Sequence, residues 1–400
     1  MIDAEWSQMI EPILHTPILG ASFRLHQLNL PRKDVGASVD LAGHSVDGTI
    51  KVVPFMGSTE DWERFAQACD ASFWCAGGGM RMWQMKLHSL FHLRRFEVFA
   101  VRRGAGECKI GQCAVGIGPR IKAFSDGLHL LPAFAPLWPK AMKAVLDTLG
   151  PGRYVYGSFW STEEPRERML EAMTGVELVA SRPLAVEAVD FARWPQWDDF
   201  LKTISKNVLR NARKSSVTEM PARSGAEAVL SLPVALGLRG TMYNRKSIAF
   251  SQSWAAAGYV LRCLMLHRHV STTIAYGDRA PLATAGTVAF GRNVYYLDGG
   301  SREDCAGAGW ALILHLLKSL HDAQPRGRFL LGYTDLAAGF SESEWTSPVR
   351  YRRDCRATAT ETSIVAFDVG GRKAGGAAIP ELLLQRTIPC WTGPYTPSKC

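Results

Sequence analysis

Tyr295–Tyr296–Leu297–Asp298, then Gly299–Gly300–Ser301–Arg302–Glu303–Asp304–Cys305–Ala306–Gly307–Ala308–Gly309, then Trp310–Ala311–Leu312–Ile313–Leu314–His315–Leu316–Leu317–Lys318–Ser319–Leu320 is the stretch that decides the fold. It reads as the end of a strand, a glycine-rich loop and a helix. Only His315, Lys318 and Ser319 are polar in that helix, so it is expected to be buried on most faces. A helix start carries free backbone N–H groups and the positive end of the helix dipole. Small residues from Ala306 to Gly309 would let a pyrophosphate approach those amides closely. The same glycines would also permit close packing of helix on sheet. A P-loop is excluded, because no Lys followed by Ser or Thr comes after the glycines.

Working outward, strands are expected at Val270–Tyr276, Leu282–Phe290 and Val294–Leu297, parted by Gly277–Asp278 and Gly291–Arg292. Such antiparallel hairpins do not suit a Rossmann βαβ unit. Downstream come a strand at Phe329–Tyr333, an irregular stretch to Trp345, and strands near Val349–Ala357 and Thr360–Phe367. Upstream lies one helix, Asp198–Lys214, followed by helical segments near Ala226–Arg239 and Trp254–His267. The first half reads in nearly the same order: a helix opened by Ser58, a Met- and Trp-rich connector at Met80–Met85, and strands Phe96–Arg102 and Ile110–Gly118. A third apolar run, Leu128–Phe134, precedes a helix at Lys140–Leu149, strand Tyr154–Phe159, helix Glu163–Met173, and strands Val176–Ala180 and Leu184–Val189. The repeat is one of element order rather than of sequence. It points to a tandem duplication, with two unrelated α+β domains as the alternative.

Three antiparallel strands, a loop with Gly307-x-Gly309, a buried helix and a following strand resemble the GNAT acyltransferase core. Leu201-Lys202-Thr203-Ile204-Ser205-Lys206-Asn207-Val208-Leu209-Arg210 is similar to the helix that opens the second domain of tandem-GNAT proteins of the CelD-like or FemAB-like group. That resemblance implies an α+β fold of two tandem GNAT-like domains, each a mixed, mostly antiparallel sheet flanked by helices. The expected organisation is an extension over 1–54, a first domain over 55–192, a second over 193–368 and a tail over 369–400. A possible helix at Glu5–Leu14 falls in the extension and one at Glu381–Gln385 in the tail. Two departures stand out: Asp304 replaces the usual Gln or Arg, and no Tyr-Lys pair follows Asp335.

The resemblance further implies an acyl-CoA co-substrate, acetyl-CoA or longer, seated by Leu297, Cys305, Ala306, Gly307, Ala308 and Gly309, with Lys206 and Arg210 for its phosphates. Acyl transfer to an amine needs a proton acceptor, an oxyanion donor and an acid for the departing thiolate. Asp298 or Asp335 is the expected base, Tyr333 the acid, and a backbone N–H near Leu297 or Asp298 the oxyanion donor, with Glu342 and Glu344 in reserve. The acceptor would be an amine of a small molecule, peptide or saccharide. In the first half, Ala135-Pro136-Leu137-Trp138-Pro139 stands where a donor-binding loop would be, and proline lacks an N–H. That half is therefore expected to bind no CoA and to form one wall of the acceptor groove. A Fem-type aminoacyl-tRNA-dependent transferase and a non-catalytic scaffold are the alternatives.

The composition fits these readings. The chain has 400 residues and a net charge of +9, which favours polyanionic partners, tRNA among them. Lys202, Lys206, Arg210 and Arg213 or Lys214 recur at helical spacing as a basic stripe, while Arg350, Arg352, Arg353 and Arg356 fall on an expected surface strand. No apolar run approaches the ~18–20 residues of a membrane span, and Met1–Arg24 lacks the layout of a signal peptide. The nine cysteines are scattered with no Cys-x-x-Cys, and His267 and His269 have no third ligand at a fitting spacing. A reduced, cytoplasmic chain without metal is expected. Cys305 lacks a histidine at a spacing that would mark it as a nucleophile.

Overall fold

The computed structural model describes residues 49–86, 91–102, 106–119, 121–245, 251–305, 307–336 and 351–370. The helices expected at Glu5–Leu14 and Glu381–Gln385, and the reserve acids Glu342 and Glu344, lie outside them. In the first half β1 (Thr49–Pro54), β2 (His92–Arg102), β3 (Gly106–Ile117) and β4 (Ile121–Leu130) form an antiparallel meander, and β5 (Gly152–Tyr156) runs parallel to β4. The second half repeats this with β7 (Ala222–Ser224), β8 (Val270–Gly277), β9 (Ala280–Phe290), β10 (Asn293–Ser301) and, parallel to β10, β11 (Arg328–Asp335).

Two strands join the halves. β6 (Val176–Asp190) closes the first half in sequence but pairs with β11 of the second. β12 (Thr358–Val369) closes the second half but pairs with β5 of the first. β6 and β12 also pair with each other, so the described strands form one twelve-stranded sheet ordered β1-β2-β3-β4-β5-β12-β6-β11-β10-β9-β8-β7. Buried ion pairs staple the exchange: Arg153 of β5 to Asp368 of β12 (Nη2–Oδ2 2.7 Å), and Glu187 of β6 to Arg352.

The helices are α1 (Thr59–Ala68), α2 (Gly77–Lys86), α3 (Trp138–Leu149), α4 (Glu167–Glu171), α5 (Trp197–Thr203), α6 (Lys206–Arg213), α7 (Leu232–Arg245), α8 (Gln252–Met265) and α9 (Ala308–Ala323). Ser58 caps α1 by accepting from the Asp61 N–H. On the first half, α3 lays Trp138, Met142 and Val145 over Val98, Ile110 and Phe124. On the second, α9 lays Leu312, Ile313, Leu316 and Leu317 over Leu282, Ala285 and Phe329, each side chain contributing about 1.5–3 kcal/mol by burial. A third core, with Phe73, Trp74, Trp160, Tyr259, Tyr295 and Leu297, spans both halves.

Several expectations are corrected. The Met80–Met85 connector is helical, within α2. Cβ atoms at Gly78 and Gly79 would overlap the carbonyls of Met265 and Phe73, so these glycines let α2 sit against backbone. Helix 198–214 is broken, because Ile204 turns extended (ψ 147°) and is buried. Arg356 then donates to the carbonyl of Thr203. The two strands expected over 176–189 are one. Pro183 is tolerated because the pairing of β6 with β11 ends at Leu184. Residues 351–354 are helical rather than strand, and Arg352 is buried rather than on the surface. No described helix is long and apolar enough to cross a membrane.

The repeat also reaches the sequence. Aligned on the parallel pairs Ala123–Val155 and Tyr295–Leu330, Phe124-Ser125-Asp126-Gly127 matches Tyr296-Leu297-Asp298-Gly299. In the same alignment Gly152-Arg153-Tyr154-Val155-Tyr156-Gly157 matches Gly327-Arg328-Phe329-Leu330-Leu331-Gly332.

Candidate functional site

β10 and β11 pair only at Asn293–Arg328, Val294–Phe329 and Tyr295–Leu330. Beyond that point β10 stays with β9 and β11 with β6, so the two strands part. Each is bulged where they separate: the register shifts between Tyr296 and Asp298 on β10, and between Leu330 and Gly332 on β11. Leu297 is thus the extra residue of a β-bulge, left out of the ladder with β9.

Asp298 and Tyr333 lie beyond the branch point on opposite strands. Asp298 is buried between two guanidiniums, with Arg262 Nη2 at 2.6 Å and Arg239 Nη1 at 3.5 Å from its Oδ2. Burial pushes its pKa up, but the two arginines outweigh this and hold it below the usual carboxylate value. A carboxylate so held is a weak proton acceptor. Asp335, at the end of β11, is bound by Arg182, whose Nε is 2.9 Å from its Oδ2. The two expected bases therefore belong to separate ion-pair groups. Tyr333 is half-buried, its ring 4.9 Å from Phe159 and 5.7 Å from Trp160, so the first half braces it.

β10 runs on through Ser301, which shortens the loop to residues 302–307. Within it Arg302 pairs with Asp304, and the Cys305 thiol is shifted up by desolvation and by Asp304, the opposite of an activated nucleophile. Ala306 lies outside the described residues. Gly307 caps α9 in the left-handed region (φ 89°), and no side chain caps that helix. A Cβ at Gly307 would overlap the carbonyl oxygen of Asn211 on α6, so this glycine serves close helix packing. Ala308 is buried, whereas a Cβ at Gly309 would meet nothing closer than Ser301 at 3.9 Å. Lys206 and Arg210 are exposed on α6, beside the start of α9. The break at Ile204 removes Lys202 from their stripe, and Lys202 pairs with Asp199 instead.

The first half holds a corner that the sequence reading missed. β4 and β5 pair only at Ile121–Arg153, Lys122–Tyr154 and Ala123–Val155, then part in the same way. A cavity of about 200 Å³ lies here, lined by Ser72, Asp126, His129, Trp138, Glu163 and Arg166 among others. Asp126 accepts hydrogen bonds from the Ser158 hydroxyl at Oδ1 and from the Ser72 N–H at Oδ2 (2.9 Å). Its Oδ2 also lies 3.2 Å from His129 Nε2 and 3.8 Å from Cys75 Sγ. On the other side of the imidazole, Nδ1 is 3.8 Å from Glu163 Oε1, and Tyr156 donates to Glu163 Oε2 at 2.7 Å. Burial pushes the Asp126 carboxyl up, but His129, Ser158 and the Ser72 amide outweigh it and leave the pKa lowered. For His129, burial opposes the charge, yet its partners Cys75 and Asp126 raise its pKa well above the imidazole value. Phe124-Ser125-Asp126-Gly127 mirroring Tyr296-Leu297-Asp298-Gly299 was the available signal for this corner.

No protein-family model matches the chain, and no curated protein matches it. Among solved structures it is similar to FemX, with a TM-score of 0.58 and 10% identity over 84% of this chain and 100% of that one. The C-terminal domain of a putative lysylphosphatidylglycerol synthetase from Agrobacterium fabrum gives a TM-score of 0.45 at 12% identity, covering 82% of this chain and 97% of that one. A tandem GNAT protein from the clavulanic acid biosynthesis pathway gives 0.38 at 14% identity, covering 81% and 100%. Those two scores are too low to carry weight. With the paired, diverging strands of both halves, the chain has a FemX-like α+β fold, its two halves repeating one strand order within a single, mostly antiparallel sheet.

Proposed function

We propose that the protein is an N-acyltransferase that moves an acyl group, acetyl or longer, from coenzyme A to an amine of a small molecule, peptide or saccharide. The observation that carries this is the parting of β10 and β11 next to an uncapped helix start, with exposed Lys206 and Arg210 alongside. A donor whose phosphates lie against the amides of Ala308 and Gly309 would extend its thioester into the gap between the strands. There the amine nitrogen forms a bond to the acyl carbon, and the C–S bond breaks. The bulge at Leu297 supplies a backbone N–H outside the ladder as oxyanion donor. Tyr333 gives its proton to the departing thiolate. Asp335, farther along β11 and paired with Arg182, takes the amine's proton through water, while Asp298, clamped by Arg262 and Arg239, fixes the local field.

A Fem-type transferase using aminoacyl-tRNA is the second reading. It is favoured by the packing of Gly307 on Asn211, which narrows the amide cradle a pyrophosphate would use, and by the net charge of +9. Thermal-shift titration of the full chain with CoA, acetyl-CoA, a long-chain acyl-CoA and tRNA separates the two. A ligand at 100 times its Kd adds about 2.7 kcal/mol of stability. Stabilisation by CoA species supports acyl-CoA transfer. Stabilisation by tRNA alone, weakening steeply with salt, supports the Fem-type reading. No response to any of them would leave a scaffold.

A further inference from the structure

We propose that Cys75, Asp126 and His129 form a divalent-metal site suited to zinc, with a fourth coordination position reached from the adjoining cavity. The three residues come from two elements that the fold brings together: the 3-10 turn Phe73–Cys75 and strand β4. All three are buried, and their donor atoms lie within 4.8 Å of one another. Cys75 Sγ to Asp126 Oδ2 is 3.8 Å, and His129 Nε2 to the same oxygen is 3.2 Å. A tetrahedral zinc ion, at ~2.0 Å from N or O and ~2.3 Å from S, sets its ligand atoms roughly 3.2–3.8 Å apart. The two spacings to Asp126 Oδ2 fall in that range, and the Cys75 and His129 donor atoms lie within 4.8 Å of each other.

The imidazole supplies the second observation. His129 Nε2 is fully buried, and although Asp126 is near, no aligned hydrogen bond satisfies it. A buried nitrogen with an unused lone pair or proton is costly unless something meets it. A thiol–imidazole–carboxylate relay would place Asp126 on one ring nitrogen and Cys75 on the other. Here Oδ2 of Asp126 is the atom near both the thiol and Nε2, so the three donors cluster on one side of the imidazole instead. The far nitrogen, Nδ1, looks towards Glu163, itself held by Tyr156. Carboxylate behind imidazole behind metal is the usual outer support of a histidine ligand. Ser158 likewise holds the remaining oxygen of Asp126.

A thiolate, an imidazole and a carboxylate suit zinc rather than magnesium or calcium, which prefer all-oxygen shells. Thiolate and carboxylate together balance a 2+ charge. A bound cation supplies the field that ionises the buried Cys75 thiol. Three protein ligands rather than four leave one position open, the arrangement of zinc sites that bind water or substrate. Asp126 and His129 both line the 200 Å³ cavity, so a water or a small oxygen or nitrogen donor can reach the ion. The site is independent of acyl transfer in the second half.

The test uses the full chain, stripped with a chelator and then given ZnCl2 or CoCl2. The expected result is one zinc per chain by elemental analysis, and a melting temperature that falls on stripping and returns on addition. Cobalt should give the visible bands of a tetrahedral ion and a near-ultraviolet thiolate-to-cobalt band. Cys75→Ser should lose that ultraviolet band, and His129→Gln should hold well under one zinc per chain. Cys69→Ser, at a cysteine that lines the cavity but lies outside the proposed ligand set, should keep both. The proposal is overturned if the wild-type chain takes up no zinc or cobalt, or if Cys75→Ser and His129→Gln bind as much as wild type. Because the wild-type cobalt spectrum needs no variant, misfolding of a variant does not rescue the idea.

Discussion

Asp126 and Asp298 occupy the same register position in the two halves, each three residues past the last parallel pair, Ala123–Val155 or Tyr295–Leu330. Both are buried and both are charge-paired, yet the partners differ: His129 for Asp126, Arg262 and Arg239 for Asp298. The duplicated strand pair keeps one carboxylate at its branch point and changes what faces it. A titratable imidazole and a cavity mark one corner, and permanent guanidinium charges fill the other. The two corners touch through aromatic rings, with Tyr295 of β10 5.5 Å from Trp160 and Tyr333 of β11 5.7 Å from the same ring.

Replacing Asp298 by Asn tests the second corner. The amide keeps the volume but leaves two buried guanidiniums without a counter-charge. Breaking a buried pair in this way costs about 3–5 kcal/mol. The urea midpoint of Asp298→Asn should therefore fall sharply. The pH sign follows from the lowered pKa. A carboxyl lower in the folded chain than its unfolded value of ~3.9 adds stability that is complete above that value. That stability is lost as pH falls through the folded pKa, so the acid limb of the stability curve should be flatter in Asp298→Asn. Equal acid limbs in variant and wild type would show that the aspartate is not held ionised by its arginines.

Gly307 and Gly309 should respond oppositely to alanine. At Gly307 the left-handed backbone and the Asn211 carbonyl both oppose a side chain, so Gly307→Ala should lower stability by at least about 1–2 kcal/mol. At Gly309 there is room inside a helix, and alanine should be neutral or stabilising by up to ~1 kcal/mol. If the α9 amides seat a donor's phosphates, Gly309→Ala should still raise the KM for acyl-CoA, because a methyl group then stands where the phosphate approaches. Calorimetry alongside acyl-CoA titration separates the two effects. A Gly309→Ala chain with unchanged affinity would argue against that seat.

What the sequence disclosed was local, and what it concealed was mostly long-range. Strand, loop and helix around Gly307 were readable because turn residues and apolar periodicity act within a few positions, and α9 starts two residues before the expected Trp310. The break at Ile204 was not, because its cause lies outside the segment, in burial of Ile204 and in Arg356 reaching back to the Thr203 carbonyl. Met80–Met85 read as a connector, and only the close approach of Gly78 and Gly79 to the backbone of Met265 and Phe73 explains why a helix begins there on three glycines. Cys75, Asp126 and His129 have no motif spacing, since about fifty residues separate the thiol from the strand that completes the group. Only the short match of Phe124–Gly127 to Tyr296–Gly299 pointed there, and four positions are too few to stand out before the strands are aligned.

Tyr333→Phe isolates one proton. The ring contacts with Phe159 and Trp160 do not need the hydroxyl, so Tyr333→Phe keeps them, and a melting curve of the variant accompanies the kinetics. If the phenol protonates the leaving thiolate, kcat for acyl transfer should fall about 10²–10⁴-fold while KM for acyl-CoA holds. Release of free CoA thiol, followed with a thiol reagent, gives both constants once an amine acceptor is in hand. A kcat within about twofold of wild type would remove Tyr333 from the chemistry.

The exchanged strands predict that the halves cannot be taken apart. A fragment ending near residue 192 keeps β6 but lacks β12, which pairs with β5 on one side and with β6 on the other. Its edge at β5 would expose Val155 and Tyr156 together with the ladder groups that Val365 and Ala366 satisfy in the whole chain. Arg153 would also lose Asp368, leaving a buried guanidinium without its bidentate partner. Long unpaired edges with apolar faces associate. Residues 49–192 expressed alone should therefore aggregate, and co-expression with residues 193–370 should restore a soluble one-to-one complex, because β12 then returns to its place between β5 and β6. Size-exclusion chromatography with multi-angle scattering reads the outcome. A monomeric, cooperatively melting first fragment would mean that β12 is dispensable to the sheet around β5, and that the exchange contributes little to holding the two units together.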